Sequence, residues 1–393
     1  MNFQPNLLSP DLSIYIHWPF CKSKCPYCDF NSHVRATIPY EVWAKSYIKE
    51  IDYFKNTIQG KYIKSIFFGG GTPSLMPPFI VKDIINKISD LGIIDSNTEI
   101  TIEANPTSSE ALNFLGYKDA GVNRLSIGVQ ALREEDLKFL GREHNVIEAR
   151  EVIKLGAQIF NRFSFDLIYA RPNQTLNDWL QELKEAISMA ASHISLYQLT
   201  IEKGTPFYKL YKEKKFTLPE DELATELFCA TNSYLSEKGF DQYEISNYAK
   251  TGEESRHNLC YWRYEDYLGI GPGAHSRISY FEDDQWQMQA FSHVSRPESW
   301  LKLVDEHSCG IQSYNRLNKQ EILTEILLMG LRLKEGISDE NFQKYLKTDI
   351  IDSVNLTKLN HLAKQNLIEF SPSELKTTPL GANLLNRILL ELL

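Results

Sequence analysis

The feature that most constrains this fold is the alternation of short apolar and longer amphipathic segments through the first two hundred residues. The short segments are rich in Ile, Phe, Val and Tyr, as buried parallel strands are. They lie at residues 12–17, 65–68, 98–102, 124–129, 163–168 and 193–200. The segments between them, with the apolar spacing of helices, lie at residues 40–58, 78–88, 108–119, 146–155 and 176–190.

Six strand–helix units in series predict an α/β fold with a parallel sheet and right-handed crossovers. A complete barrel of this type needs eight such units. We therefore expect a partial (β/α)6 TIM-like barrel, with a doubly wound sheet as the alternative.

The pattern changes after Leu218, and we predict three units: the barrel at residues 1–218, a connecting region at 219–316 and a C-terminal domain at 317–393. Between these limits the sequence predicts helices at 223–235, 321–333, 339–345, 354–365 and 381–392, a strand at 241–248, and a hairpin formed by 367–369 and 374–377. Helices around a small hairpin are typical of a winged-helix domain. We interpret this mainly helical, winged-helix-like unit as a structural cap, because a formal net charge of −9 opposes general attraction to phosphates.

The same charge leads us to expect no nucleic-acid partner. The first ten residues lack the basic and apolar regions of a signal peptide. Since a membrane helix needs about 20 consecutive apolar residues, we expect no integral membrane segment. These features predict a cytoplasmic location.

Three of the six cysteines, Cys21, Cys25 and Cys28, form a C-x3-C-x2-C cluster directly after the first predicted strand. Clustered cysteines in an intracellular chain indicate a metal site rather than disulfides. Soft thiolates select iron–sulfur clusters or zinc, and three ligands leave a coordination position open. The spacing alone also allows a structural zinc site, with His17 or His33 as the fourth ligand.

Polar and glycine residues follow the ends of the later strands. The run Gly69-Gly70-Gly71-Thr72-Pro73 follows the second strand, and glycines let the backbone approach a ligand closely. Four further candidates lie at or near strand ends, namely Glu103, Gln130, Arg142 and Asp166. Because the carboxyl ends of parallel strands meet at one edge, these residues together predict a binding site.

The cysteine spacing, with Tyr27 just before the last cysteine, resembles the radical S-adenosyl-L-methionine (AdoMet) superfamily. The glycine run matches the glycine-rich motif of that superfamily. The resemblance implies a 4Fe–4S cluster held by Cys21, Cys25 and Cys28, whose open iron is chelated by AdoMet. It also implies an electron donor that reduces the cluster, so that AdoMet is cleaved to a deoxyadenosyl radical.

One branch is especially similar over nearly the whole chain, including Tyr243-Glu-Ile-Ser-Asn-Tyr248 and Leu328-Met-Gly-Leu-Arg-Leu333. It is the oxygen-independent coproporphyrinogen III oxidase branch of porphyrin biosynthesis, which includes the HemW-type heme chaperones. This resemblance implies AdoMet contacts from Tyr15, Tyr27, Gly70, Gly71, Thr72, Glu103, Gln130, Arg142 and Asp166.

Two features are similar to the chaperone type. The oxidases have a further cysteine two residues after the third, and here that residue is Phe30. The segment His257-Asn-Leu-Cys-Tyr261-Trp262 matches the HNxxYW heme-binding motif of that type. An imidazole can be an axial ligand of heme iron, and Tyr261 and Trp262 would supply flat apolar faces.

We therefore expect a heme chaperone that binds heme and transfers it to an acceptor protein, with AdoMet and the cluster as further cofactors. Radical decarboxylation of coproporphyrinogen III and a non-catalytic zinc scaffold are the alternatives. The acceptor, the oligomeric state, covalent heme attachment and the cleavage of AdoMet in the working cycle are not readable from the residues.

Overall fold

The structure, a computed structural model, describes residues 9–393, so the signal-peptide prediction for residues 1–8 lies outside it. The strands of the first half are β1 (Asp11–Trp18), β2 (Phe20–Cys21), β3 (His33–Val34), β4 (Tyr62–Gly70), β5 (Glu99–Ala104), β6 (Arg124–Gln130), β7 (Arg162–Tyr169) and β8 (His193–Gln198). β1 and β4–β8 are parallel neighbours in chain order. β2 and β3 pair with each other inside the cysteine loop. The predicted six-unit partial barrel is confirmed.

Helices cover the outer face of these strands. They are α1 (Tyr40–Tyr53), α2 (Lys55–Ile58), α3 (Pro78–Ser89), α4 (Ser108–Ala111), α5 (Phe114–Asp119), α6 (Glu134–Phe139), α7 (Val146–Ile159), α8 (Leu176–Met189) and α9 (Pro206–Lys212). A short 3-10 helix, Pro73–Leu75, follows β4. The helices predicted at 40–58 and 108–119 are each divided in two, at Phe54 and around Leu112. α7 and α8 begin at capping boxes formed by Asn145 with Glu148 and Thr175 with Asp178.

The segment 219–316, predicted to be a connecting region, contributes strands to both edges of the sheet. It contains α10 (Asp221–Glu237), β9 (Asp241–Glu244), β10 (Asn247–Ala249), α11 (Arg256–Trp262), β11 (Tyr267–Ile270), β12 (His275–Glu282), β13 (Gln285–His293), α12 (Pro297–His307) and β14 (Ile311–Arg316). The β9–β10 hairpin adds to β8, while β11 pairs in parallel with β1 and is followed outward by β12, β13 and β14. The result is a mixed sheet of twelve strands.

The C-terminal part combines helices with a small antiparallel sheet. Its elements are α13 (Lys319–Gly330), β15 (Ile337–Ser338), a π-helix (Phe342–Leu346), α14 (Ile350–Ser353), α15 (Leu356–Lys364), β16 (Ile368–Phe370), β17 (Glu374–Thr377), α16 (Pro379–Asn383) and α17 (Leu385–Leu392). The predicted hairpin is confirmed as β16 and β17. The predicted helix at 339–345 is wrong in type, because the chain forms a π-helix there. No helix within residues 9–393 has the length and apolarity needed to cross a membrane.

Alternation along the strands separates a packed outer face from a polar interior. In β1, Leu12, Ile14 and Ile16 are fully buried, and they lie on the face opposite to Ser13, Tyr15 and His17 because successive side chains of a strand alternate. The interior therefore receives hydroxyl, imidazole and carboxyl groups from consecutive strands. These groups position the site described below.

Candidate functional site

The cysteine loop is tied to the barrel at both of its ends. β2 and β3 place Phe20 beside His33 and Cys21 beside Val34. The amide of His33 donates to the carbonyl of Pro19 at 2.7 Å, and that of Cys28 to the carbonyl of Cys25 at 3.1 Å. The loop therefore leaves the end of β1 and is closed by the pairing of its two ends. Its three thiols, Cys21, Cys25 and Cys28, line one cleft at the carboxyl ends of the parallel strands.

The glycine run after β4 lets this loop pack directly against the sheet. A Cβ on Gly71 would lie 2.7 Å from the carbonyl oxygen of Phe20, and one on Gly70, whose φ is +112°, would lie 2.6 Å from the His17 ring. The amide of Thr72 donates to the Phe20 carbonyl at 2.8 Å. Gly70, Gly71 and Thr72 also line the cleft, as predicted for a cofactor contact.

Arg142 connects the cysteines to the strand ends. Its Nη1 donates to the Cys25 Sγ at 3.4 Å and to the Tyr27 hydroxyl at 3.5 Å, while its Nη2 donates to Asn105 Oδ1 at 2.6 Å. Asn105 in turn donates to Thr72 Oγ1 at 3.2 Å, and Thr72 donates to the Cys21 Sγ at 3.2 Å. Sequence reasoning missed Asn105, although it follows Glu103 by two residues at the same strand end.

Two carboxyl groups lie deeper in the same cleft. Burial, reinforced by the neighbouring charge of Asp166, raises the pKa of Glu103 to about 8. Burial also raises the pKa of Asp166 to about 6, although a hydrogen bond with Ser195 opposes the shift. Both shifts have the cause expected for acids that face each other away from water. When ionised, such a pair can accept hydrogen bonds from a polar ligand in the cleft.

Gln130 completes the cleft from the end of β6. Its φ of +74° is unusual for a residue other than glycine, and the pairing of β6 with β7 shifts register between Ile127 and Gln130. Strained backbone conformations cluster at ligand-binding sites, which agrees with the position of Gln130 in the lining of the cleft.

The donor set fits a metal–sulfide cluster with a polar organic ligand. The Thr72 hydroxyl and the Arg142 guanidinium donate to two of the three sulfurs, and such donors stabilise the negative charge of sulfur ligands. The cleft then continues from the sulfurs to Glu103, Gln130 and Asp166. Cys21, Cys25 and Cys28 would hold the cluster, which supplies one-electron chemistry, and the strand-end residues would hold the organic cofactor.

Tyr15, the remaining residue predicted to contact AdoMet, is not among the residues that line this cleft. Its hydroxyl is 3.0 Å from His17 Nδ1, and His17 Nε2 is 2.9 Å from the Asn31 carbonyl. Tyr15 therefore supports the cysteine loop through His17. His17 and His33, the fourth ligands considered for a zinc site, are not among the residues that line the cleft.

The structure places His257 at the other end of the barrel. α11 packs against β4, and the His257 ring lies between the Ser65 hydroxyl, 2.8 Å from Nδ1, and the Tyr261 hydroxyl, 2.9 Å from Nε2. The side chain is 1% exposed and stacks on Phe67. Burial lowers its pKa to about 3. Both ring nitrogens of His257 thus have hydrogen-bond partners in this structure, and its predicted role as an axial ligand of heme iron stays a prediction.

The two aromatic residues of the same motif also have structural contacts. The Tyr261 ring meets Tyr267 edge-on at 4.6 Å between centroids. The Trp262 ring lies under the Arg332 guanidinium at 4.5 Å, at the junction with the C-terminal part. The structure thus brings the three motif residues together, but not with the cysteine cleft.

The comparisons with known proteins agree with this geometry. The radical SAM superfamily domain matches residues 15–186, and the HemN C-terminal domain matches residues 317–384. The heme chaperone HemW of Haemophilus influenzae is 36% identical over 388 residues, which cover 97% of each chain. This chain belongs to the HemW-type family of the radical SAM superfamily. The mitochondrial radical S-adenosyl methionine domain-containing protein 1 of Mus musculus is 33% identical over 392 residues, 99% of this chain and 89% of that one.

A solved structure shares the fold over almost the whole length. Coproporphyrinogen III oxidase HemN from Escherichia coli superimposes with a TM-score of 0.80 at 20% identity, covering 98% of this chain and 90% of that one. At 20% sequence identity, this similarity shows a shared fold and nothing more. The partial barrel with its C-terminal helical domain is therefore an architecture that HemW-type chains share with HemN.

Proposed function

We propose that this protein is a heme chaperone, which binds heme and transfers it to an acceptor protein, with a 4Fe–4S cluster and AdoMet as further cofactors. The proposal is supported by similarity to HemW of Haemophilus influenzae over 97% of that protein. The HemW of Escherichia coli, 42% identical over 273 residues, adds support over 69% of this chain and 71% of that one.

Phe30 is the observation that carries the choice between chaperone and oxidase. It occupies the position where the oxidase branch has a further cysteine, and its side chain is 61% exposed at the edge of the cleft. The other cysteines of the described chain, Cys229, Cys260 and Cys309, do not line the cleft. The site therefore offers three thiols and an exposed phenyl ring in place of a fourth thiol.

An anaerobic heme titration of the cluster-loaded protein, followed by absorbance, tests the proposal. We expect saturable binding, with bound heme passing to apomyoglobin as a probe acceptor. Binding that rises without saturation would refute the chaperone function. A His257→Ala variant is informative only together with its melting temperature, because the substitution leaves the Ser65 and Tyr261 hydroxyls without their partner.

Radical decarboxylation of coproporphyrinogen III is the second candidate, and it is favoured by the cleft that joins the three thiols to Glu103 and Asp166. Reduced protein, AdoMet and coproporphyrinogen III are incubated without oxygen, and the porphyrinogens are then separated. Formation of protoporphyrinogen would support an oxidase. We expect the substrate to be recovered unchanged.

Two further parts of the proposal concern partners and location. An electron donor is required if the cluster is to be reduced, and we propose that it docks at the exposed side of the cysteine loop. We keep the cytoplasm as the proposed location, although the related animal proteins carry the word mitochondrial in their names.

A further inference from the structure

We propose that Glu110, on the short helix α4, is a positioning residue of the cofactor site. The inference rests on the proposed cluster and AdoMet, and it concerns a residue that is neither a cysteine ligand nor a predicted AdoMet contact. Glu110 does not line the cysteine cleft, and the residue is buried, with 2% of its surface exposed. Because a buried carboxylate is unfavourable unless polar groups surround it, its partners indicate its role.

One oxygen of this carboxylate binds two segments that carry residues of the cleft. Glu110 Oε2 accepts a hydrogen bond from the Ser74 hydroxyl and another from the Asn105 amide, the latter at 3.1 Å. Ser74 lies in the buried 3-10 helix that directly follows Thr72. Asn105 directly follows β5, whose end carries Glu103. The carboxylate therefore fixes the glycine-rich motif relative to the end of β5.

The second oxygen of the carboxylate faces the cysteine loop. Glu110 Oε1 lies 3.9 Å from Nζ of Lys22, the residue after Cys21, and Lys22 also donates to the Ser109 hydroxyl at 2.7 Å. Oε1 is buried and has no hydrogen-bond partner within residues 9–393, so its interaction with Lys22 is electrostatic. One side chain thus contacts the cysteine loop, the turn after β4 and the turn after β5.

The side chain of Asn105 extends this arrangement to the sulfurs. Asn105 accepts a hydrogen bond from Arg142 Nη2 at 2.6 Å and donates to the Thr72 hydroxyl at 3.2 Å. Arg142 and Thr72 are the side chains that donate to two of the three cysteine sulfurs. Since Glu110 holds the backbone of Asn105, it determines where both donors meet the sulfurs. Hydrogen bonds to the sulfurs tune an iron–sulfur cluster.

The test uses the full chain after anaerobic reconstitution of the cluster. AdoMet affinity is measured by equilibrium dialysis, and the reduced cluster is examined by EPR spectroscopy. Glu110→Ala removes both hydrogen bonds, so AdoMet affinity should fall about tenfold, as when outer partners of metal sites are removed, and the EPR spectrum should change. Glu110→Gln retains an oxygen that can accept from Ser74 and Asn105, so it should bind AdoMet almost as the native protein does.

Two further variants make the test independent of how well Glu110→Ala folds. Glu110→Asp retains the charge but is shorter by one methylene, so it should also lose AdoMet affinity. Asn105→Ala should cause a loss similar to that of Glu110→Ala. The double variant should lose little more than either single variant, because both residues act through the same contacts. Losses that add up in the double variant would overturn the route through Asn105.

Glu244→Ala is the matched control. Glu244 is also buried and accepts a hydrogen bond from a backbone amide, that of Ser246 at 2.8 Å, but it does not line the cleft. We expect this variant to have a lower melting temperature and an unchanged EPR spectrum and AdoMet affinity. A change in all three would show that any loss of a buried carboxylate disturbs the site, and would overturn the specific role of Glu110.

The remaining outcomes separate this inference from the proposed function. Native AdoMet affinity and a native EPR spectrum in Glu110→Ala would overturn the positioning role and leave the cofactors in place. A loss that Glu110→Gln does not restore would overturn positioning by hydrogen bonds, since the charge would then be responsible. Absence of AdoMet binding to the native, cluster-loaded protein would instead overturn the cofactor part of the proposed function.

Discussion

Each cysteine thiol of the cleft has different surroundings, yet all three have to act together as ligands. We expect Cys21→Ala, Cys25→Ala and Cys28→Ala each to abolish cluster assembly, because two thiolates cannot hold the cubane on their own. Iron and acid-labile sulfide per chain, measured after anaerobic reconstitution, check this. The control is Cys229→Ala, at an exposed cysteine on α10, which should retain both the iron and the acid-labile sulfide. Zinc without sulfide in the native protein would instead favour a structural metal site.

Glu103 gives the apo protein a pH dependence of known sign. Its pKa is 4.5 for a free carboxyl and about 8 in the fold, so the folded state binds its proton more tightly. Because ionisation of Glu103 is disfavoured in the folded state, the free energy of unfolding falls progressively as the pH rises from 4.5 to 8. We expect Glu103→Gln to raise the melting temperature at pH 8 by about 2 °C or more, and to change it little at pH 5. The charged or titratable groups that interact with Glu103 are Asp166, Tyr15 and Arg124.

Equal melting temperatures of native protein and Glu103→Gln at pH 8 would contradict this account. Asp166→Asn serves as a companion variant, since removal of the neighbouring charge should lower the pKa of Glu103. The melting curves are recorded without cofactor.

At the level of residues, the prediction of a site from polar side chains at the carboxyl ends of the strands located most of the cleft correctly. Glu103, Gln130 and Asp166 come together because parallel strands bring their carboxyl ends to one edge, and Arg142 reaches the same edge from the loop between α6 and α7. Asn105 was overlooked because one sequence does not tell which of two polar residues at a strand end turns inward. For His257, the six-residue motif fixed the residue types but not the inward orientation of α11, which depends on contacts with Ser65 and Phe67 far away in the sequence.

Among the elements, α1, α12 and the β11–β14 extension meet at one buried carboxylate. Glu50 accepts hydrogen bonds from the amides of Gly271 at 2.8 Å and Gly310 at 2.7 Å, and from the Trp300 indole at 3.0 Å. His293 Nε2 lies 3.2 Å from the same carboxylate, and its Nδ1 faces the Ala274 carbonyl. One side chain of α1 thus fixes three later segments.

Burial lowers the pKa of His293, but the charge and hydrogen bond of Glu50 and the hydrogen bond to the Ala274 carbonyl together outweigh it, so this pKa is raised above 6.5. A raised histidine pKa contributes stability that is complete below 6.5 and is lost as the pH rises through the folded value. We expect the melting temperature to fall more steeply between pH 6.5 and pH 8.5 in the native protein than in His293→Gln. Besides Glu50, Cys309 and His275 are the titratable groups near this pair. If the melting temperatures of the native protein and of His293→Gln change with pH in parallel, His293 is neutral over the whole range from pH 6.5 to pH 8.5.

The strands β1 and β4–β8 were predictable because they are largely buried and rich in Ile, Phe and Leu, even though polar side chains interrupt them on the interior face. β12, with the sequence His-Ser-Arg-Ile-Ser-Tyr-Phe-Glu, alternates and is partly exposed, so it gave no apolar run. The strand predicted at 241–248 is a hairpin, since the chain turns between Glu244 and Asn247. Sequence alone did not indicate that β11 returns to pair with β1.

For the whole molecule, the C-terminal part has an apolar core of its own, which also includes Tyr264 and Met288 from the preceding segment. Ion pairs cross the same junction. Arg332 donates to the fully buried Glu244 at 3.0 Å and covers Trp262. We expect Arg332→Ala to destabilise the protein by roughly 3 kcal/mol, because Glu244 is left as a buried charge with one partner fewer. Urea unfolding measures this loss.

The double variant Arg332→Ala, Glu244→Gln is the matched control for that experiment. Removing the Glu244 charge together with Arg332 should recover a large part of the lost free energy of unfolding. If the losses caused by the two single substitutions simply add up in the double variant, the two side chains are not coupled. Arg263→Ala, at the exposed ion pair with Glu335, should cost little.

The position of β1 between β4 and β11 has a consequence for biosynthesis. Ser13 is paired with Tyr267, and the loop residue Asn31 donates to the carbonyls of Pro272 and Ser295 at 3.0 Å. A ribosome adding about 5–20 residues per second needs on the order of tens of seconds between making the cysteines and making their last supports. The nascent chain therefore lacks these partners of the cysteine loop for that whole interval, and the packed arrangement of the loop forms only after Ser295 has been made.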